Sequence, residues 1–92
     1  MSWYMYMAKC KDGSIYTGIT TDIERRIKEH NHDSIKGAKS LRGKRPVKLV
    51  YFEEFQIRFE AASRELEIKK WQRVNKLKLI NSKRLGVYPQ KV

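Results

Sequence analysis

Ninety-two residues make one domain with one modest core, since a chain this short buries only roughly 60–65% of its unfolded surface. Twenty-one Lys and Arg against ten Asp and Glu give a formal charge of +11, an excess that favours polyanionic partners through phosphate neutralisation and counterion release. The single Cys10 excludes an internal disulfide and fits a reducing compartment, and no apolar run approaches the ~20 residues of a membrane span.

The N-terminal MSWYMYMAKC has neither the basic start nor the long apolar run of a signal peptide, so a cytoplasmic protein without membrane association is expected. Trp3 to Lys9 is aromatic-rich and reads as a strand, with Cys10 a small packing residue at its end. Lys11-Asp12-Gly13 signals a hairpin turn, and Ser14 to Thr20 forms the second strand. A two-residue Asp12-Gly13 loop would set Tyr6 and Tyr16 on opposite faces. A three-residue loop with a bulge at Gly13 instead pairs Ala8 with Tyr16 and Tyr6 with Gly18, and all four then share one face. The three-residue form is the expectation.

Thr21-Asp22-Ile23-Glu24 matches a capping box with Thr21 as N-cap, and the helix is predicted from Asp22 to about His30. Asn31 to Arg45, polar and basic with Gly37 and Gly43, reads as a loop. Val47 to Phe55 is a third strand entered through Pro46. A second helix spans roughly Phe59 to Arg73, a further short helix Val74 to Ile80, and a basic tail follows. The order is ββαβαα. It predicts an α/β fold, a small three-stranded and mainly antiparallel sheet flanked by helices.

In the first helix Ile23, Ile27 and His30 fall on one stripe with Arg26 at its edge, whereas Arg25, Lys28 and Glu29 look solvated. One Arg and one His thus share the face that packs inward. The ordinary reading is that Arg26 snorkels past the core while His30 caps the helix C-terminus. In the second helix Lys70, Ser63, Glu67, Glu60 and Arg64 form a polar arc, and Ile68, Ala61, Ala62, Leu66 and Phe59 the apolar half. Glu65 lies within that apolar half, where a carboxylate is costly unless it is paired or bound to a metal. An i,i+4 pair with Lys69 is the alternative to a metal site.

Basic residues cluster twice. Lys36, Lys39, Arg42, Lys44, Arg45 and Lys48 lie in or beside the long loop, and Lys69, Lys70, Arg73, Lys76, Lys78, Lys83 and Arg84 run through the C-terminal helices and tail. Two such runs in one small domain make a phosphate-tracking surface, which positions nucleic acid without reading its sequence. There is no Cys/His pair with zinc spacing, no phosphate-binding Gly loop and no Ser-His-Asp set.

Tyr4-Met5-Tyr6, Lys11-Asp12-Gly13-Ser14, Tyr16-Thr17-Gly18 and Thr21-Asp22-Ile23-Glu24-Arg25-Arg26, ending at His30, resemble the core of the GIY-YIG nucleases. Lys36-Gly37-Ala38-Lys39, Arg45 through Tyr51, and Arg64-Glu65 through Ile68-Lys69-Lys70-Trp71 resemble the small stand-alone bacterial members of that superfamily. The similarity runs from residue 3 to about 80, so residues 1–82 are expected to form the GIY-YIG-like domain and 83–92 a basic tail. Tyr4 stands where the first motif has Gly, and Thr17 where the second has Ile.

The resemblance implies Tyr6 and Tyr16 as the motif tyrosines, Arg26 as the catalytic arginine, His30 as the polar residue one turn later, and Glu65 as the metal-binding glutamate. It implies one divalent ion, Mg²⁺ or Mn²⁺, on Glu65 with water completing the shell. The implied reaction is endonucleolytic hydrolysis of DNA phosphodiester bonds, structure-selective and in repair or recombination, with Arg26 donating to the phosphate. Tyr6, alone or with Tyr16 or His30, would take the proton from the attacking water. The implied partners are DNA, branched or single-stranded forms included, with RNA as a second polyanion, and a protein partner supplying substrate selectivity. A catalytically weak nucleic-acid-binding module and an accessory subunit are the alternative readings.

Overall fold

The computed structural model describes residues 1–33 and 35–82; the tail 83–92, with Lys83 and Arg84, lies outside the described residues. The elements are β1 (Trp3–Lys9), β2 (Ile15–Thr20), α1 (Ile23–His32), a 3₁₀ helix (Lys39–Lys44), β3 (Lys48–Phe55), α2 (Arg58–Lys69) and α3 (Arg73–Ser82). The strands form one antiparallel sheet in the order β2-β1-β3. The predicted α/β fold and element order are therefore those of the protein.

The hairpin takes the three-residue form. Gly13 adopts φ 88° and its N–H donates to Cys10 O, while Cys10 N–H donates to Ser14 O. Asp12 Oδ1 accepts from both the backbone N–H and the hydroxyl of Ser14, which fixes the turn. Ala8 consequently pairs with Tyr16 and Tyr6 with Gly18.

As the central strand, β1 is covered on both sides, and Met5, Tyr6, Met7 and Ala8 are all buried. Met5 and Met7 pack with Tyr51 and Ile68 of α2, backed by Ile15, Ile19, Trp71, Leu79 and Ile80. On the other face Ala8, Cys10, Leu41 and Val47 form a second cluster with Tyr16, Ile27 and Ala38. One sheet face thus carries α2 and α3, and the opposite face carries α1 and the 3₁₀ helix.

Several local expectations shift. The N-cap of α1 is Asp22, whose side chain accepts from Arg25 N–H, not Thr21. Thr20 explains the offset: its hydroxyl, pointing to the α1 face, accepts from Asp22 N–H and so holds the chain one residue longer before the helix. At the other end α1 continues past His30 to His32, and the supposed loop contains the 3₁₀ helix, which buries Leu41. Asn31 fastens α1 to the start of β3, its carboxamide bonding both the N–H and the carbonyl of Val47 at 2.7 and 3.0 Å. In α2 the helix ends at Lys69, and α3 begins at Arg73.

The packed face of α2 also differs from the hydrophobicity-based arc. Ala61 and Ile68 are buried, whereas Phe59 is 76% and Leu66 61% exposed. Arg64 turns the helix instead. Its guanidinium binds both carboxylate oxygens of Glu53 on β3 at 2.8 and 3.0 Å, reaches Glu67, and lies over the Trp71 ring. A charge-assisted, two-point bond of this kind outweighs the burial of one exposed apolar side chain.

Candidate active site

The hairpin register places Tyr6 and Tyr16 side by side on the α1 face, with ring centroids 6.1 Å apart. Helix α1 adds His30 one turn after Arg26. The His30 ring meets Tyr16 edge-on at 5.3 Å and lies 6.1 Å from the Tyr6 ring. His30 is fully buried and Tyr6 is 1% exposed. Tyr6 Oη and His30 Nε2 are hydrogen-bonded at 2.7 Å. Gly18 makes this arrangement fit. A Cβ there would sit 2.8 Å from Tyr6 Oη and 3.0 Å from the Tyr16 ring. The space opposite Tyr6 is therefore occupied by the tyrosine itself.

Arg26 is held at the edge of the same cluster. Its Nη1 donates to Glu29 Oε1 at 2.8 Å and to Lys36 O at 2.7 Å, and the guanidinium also interacts with the Tyr6 hydroxyl. Glu29, expected to be solvated, is instead half-buried between Arg25 and Arg26. Burial works against the Arg26 charge, but Glu29 and Tyr6 more than offset it, and its pKa is raised. Arg26 thus does more than snorkel past the core.

The loop between α1 and the 3₁₀ helix closes over His30. Asp33 Oδ1 accepts from the N–H groups of Ile35 and Lys36, forming a compact turn. Gly37 then passes so close to the end of α1 that a Cβ would meet Glu29 O at 2.6 Å and Asp33 O at 2.8 Å. That approach brings Ala38 N–H to His30 Nδ1 at 3.2 Å. Arg45 donates to the carbonyls of His30 and Asp33, so the cap on the end of α1 comes from Arg45 and the His30 side chain points into the core.

Electrostatics follow burial. Desolvation, with Arg26 next in importance, lowers the His30 pKa to about 4, so the ring is neutral at physiological pH. Desolvation and the neighbouring Tyr16 push the Tyr6 pKa well above 10, against the pull of Arg26.

Glu65 comes from a different layer. It sits on α2, the layer that packs on the Met5 and Met7 face, and its side chain is 18% exposed. Lys69 Nζ pairs with Glu65 Oε2 at 3.0 Å, the i,i+4 arrangement that the spacing allows. Tyr6, Tyr16, Arg26 and His30 are thus gathered in one place, and Glu65 is carried by α2, which packs on the other sheet face and also touches β2. Among the described residues no group of three His, Cys, Asp or Glu side chains is placed to hold a metal. A single hard carboxylate still suits a divalent ion held chiefly by water and substrate phosphates, as Mg²⁺ usually is.

Of the basic residues, Lys36, Lys39, Arg42, Lys44 and Arg45 lie in the loop and 3₁₀ helix that cover the tyrosine face. Lys36, Lys39 and Arg42 are exposed, Lys44 pairs loosely with Asp12 at 3.9 Å, and Arg45 is engaged by α1. Lys69, Lys70 and Arg73 are exposed around the α2–α3 junction.

Residues 2–78 match the GIY-YIG catalytic domain. The chain belongs to the GIY-YIG family. A UPF0213 protein of Clostridium perfringens is 58% identical over 80 residues, covering 87% of this chain and 84% of that one. A UPF0213 protein of Haloquadratum walsbyi is 53% identical over 76 residues, covering 83% of each. The solution NMR structure of a UPF0213 protein from Bacillus halodurans superposes with a TM-score of 0.59 at 45% identity, covering 94% of this chain and 89% of that one. That of an E. faecalis protein gives 0.62 at 41%, covering 94% and 90%. GIY-YIG proteins are nucleases that generally use divalent metal ions, so a nucleic-acid substrate follows from membership. No helix among the described residues is long and apolar enough to cross a membrane.

The sequence pattern pointed to Arg26 and His30 but missed what holds them. Gly37 was visible in the loop, yet nothing in the spacing says that its turn ends on His30. The Ala38 N–H is a backbone group and leaves no sequence signal at all.

Proposed function

We propose that this chain is a divalent-metal-dependent endonuclease that hydrolyses DNA phosphodiester bonds, with Tyr6 as general base and Arg26 as the phosphate-binding cation. The observation that carries the reading is the buried Tyr6–His30 hydrogen bond beside Arg26. Tyr6 is fixed beside the arginine by this bond. It also lies under the basic segment from Lys36 to Arg45. DNA tracking along Lys36, Lys39, Arg42 and Lys44, with Lys69, Lys70 and Arg73 as a second contact, would bring a phosphate to Arg26.

Arg26 would then exchange its Lys36 carbonyl for a phosphate oxygen and stabilise the charge that grows there. Tyr6 as phenolate would take the proton of the attacking water, and Tyr16 would keep the ring in place from the side. An ion bound at Glu65 would neutralise phosphate oxygens and assist departure of the leaving group. Lys69 would have to release one Glu65 oxygen for this. Branched or single-stranded DNA is the substrate class we favour, as an exposed basic surface binds any backbone that can reach it, and a protein partner would supply selectivity.

The Glu65–Lys69 ion pair favours a second reading, a nucleic-acid-binding platform or accessory subunit whose carboxylate is already neutralised. A cleavage assay on labelled single-stranded, duplex, flap and branched DNA, and on RNA, separates them. It is run with Mg²⁺, Mn²⁺ or EDTA beside Glu65→Ala and Arg26→Ala. Metal-dependent cutting lost in both variants supports the nuclease, with a loss of roughly 10²–10³ for Arg26→Ala. Binding without cutting under every metal supports the platform.

A further inference from the structure

We infer that His30 acts as a fixed hydrogen-bond donor to the Tyr6 hydroxyl, its tautomer set by the Ala38 backbone N–H, and is a positioning residue for Tyr6. The inference rests on the nuclease reading only for its catalytic consequence.

A backbone N–H can only donate. Ala38 N–H points at His30 Nδ1 at 3.2 Å, so Nδ1 must be the acceptor nitrogen. A neutral imidazole has one N–H, which is then on Nε2. The 2.7 Å contact therefore runs from His30 Nε2–H to Tyr6 Oη. Arg26, whose guanidinium charge acts on the same hydroxyl, has no acceptor to offer it. With His30 donating and Arg26 unable to accept, the Tyr6 proton is directed away from both. Once it is lost, the remaining lone pair of the phenolate faces an attacking water. His30 cannot itself take that proton, because its basic nitrogen is the one already bonded to Ala38.

Gly37 is the residue that makes the device possible. Any side chain there would strike Glu29 O and Asp33 O, moving the Ala38 N–H off the ring. The charged and titratable groups facing His30 are Tyr6 from β1, Tyr16 from β2, Arg26 and Glu29 from α1, and Arg45 ahead of β3. Protonation on Nδ1 would set that N–H against the Ala38 N–H and reverse the Tyr6 contact, leaving Tyr6 Oη to donate to Nε2.

Nitrogen-15 NMR of the imidazoles in the full chain at neutral pH tests this directly, with His30 assigned against His32 by His30→Gln. The expected spectrum shows neutral His30 protonated on Nε2; protonation on Nδ1 would overturn the inference. Gly37→Ala is expected to give a mixture of tautomers, and an unchanged pure Nε2–H form would remove Ala38 from the device. For catalysis, His30→Gln can place an amide N–H near the Nε2 position and should keep most of the cleavage rate, whereas His30→Leu should lose roughly 10². Equal loss in both would overturn the donor role. The pH–rate profile of the wild type should climb about tenfold per unit between pH 6 and 9, following the phenolate fraction of Tyr6. A flat profile there would overturn Tyr6 as the base. A wild-type chain that shows the Nε2–H tautomer but cuts nothing sinks the nuclease reading and leaves the His30 geometry standing.

Discussion

Replacing Gly18 by Ala adds one methyl group at the point where the two tyrosines cross the hairpin. Gly18 has no positive φ, so the backbone itself accepts Ala. By itself the change would raise stability by about 0.4–1 kcal/mol, through a less disordered unfolded chain. The methyl, however, would stand 2.8 Å from Tyr6 Oη and 2.9 Å from Cζ, where ordinary contact begins at 3.4 Å. Tyr6 must retreat by about 0.6 Å, the difference between those two distances. It is the worst-placed side chain to do so, being 1% exposed and bonded to His30. Overpacking of this kind costs typically about 1–3 kcal/mol. The net effect is a loss, at about 4–8 °C of melting temperature per kcal/mol for a domain this small. Displacement of Oη should also cut the cleavage rate by roughly 10², the usual consequence of a misplacement near 1 Å. Thermal unfolding, single-turnover cleavage and the His30 imidazole resonances would be measured together. A variant as stable and active as wild type, with unmoved His30 signals, would refute the close packing of Tyr6 against β2.

Three further outcomes are expected. Thr17 Oγ1 is buried on the α2 face with no hydrogen-bond partner among the described residues, so Thr17→Val should stabilise by about 1 kcal/mol or more in urea unfolding; a less stable variant would show that the hydroxyl is bonded. Arg64→Ala should destabilise by about 2 kcal/mol, because it leaves the Glu53 carboxylate without its two-point partner, and unfolding at low and high salt should give similar losses for this partly buried pair. Stability should also fall on acidification through His30. Its folded pKa of about 4 lies below the usual 6.5, so the unfolded chain takes up the proton first. The contribution is complete above pH 6.5 and is lost as pH drops toward 4, reaching about 3 kcal/mol. A pH dependence no steeper in wild type than in His30→Gln would contradict the burial of a neutral ring.

The hairpin was legible because its determinants are local. Asp12 and Gly13 fix the turn within three residues, and the period of two then puts Tyr6, Ala8, Tyr16 and Gly18 on one face. The same holds for Arg26 and His30, four residues apart on one helix. Family membership was also carried by short spaced motifs, and it extends over residues 2–78. The roles of those residues in cleavage remain our proposal.

The cap of α1 and the face of α2 were not legible, for different reasons. Thr20, Thr21 and Asp22 are all competent capping groups, and which one caps depends on how β2 delivers the chain to the helix. Hydrophobicity ranks Phe59 and Leu66 above Arg64 and Glu65, yet the helix turns the other way. The deciding partner, Glu53, lies on a strand whose position depends on the whole sheet.

Sequence alone therefore determined the single small domain, the basic surface, the hairpin register, and the pairing of two tyrosines with an Arg and a His at helical spacing. Tertiary structure decided that β1 is central, that α1 and α2 cover opposite faces, that Lys69 answers Glu65, and that Ala38 meets His30. The division has a physical basis. Side-chain pattern encodes which way a residue faces on its own element, whereas a backbone N–H or a distant carboxylate acquires its partner only when the elements have packed.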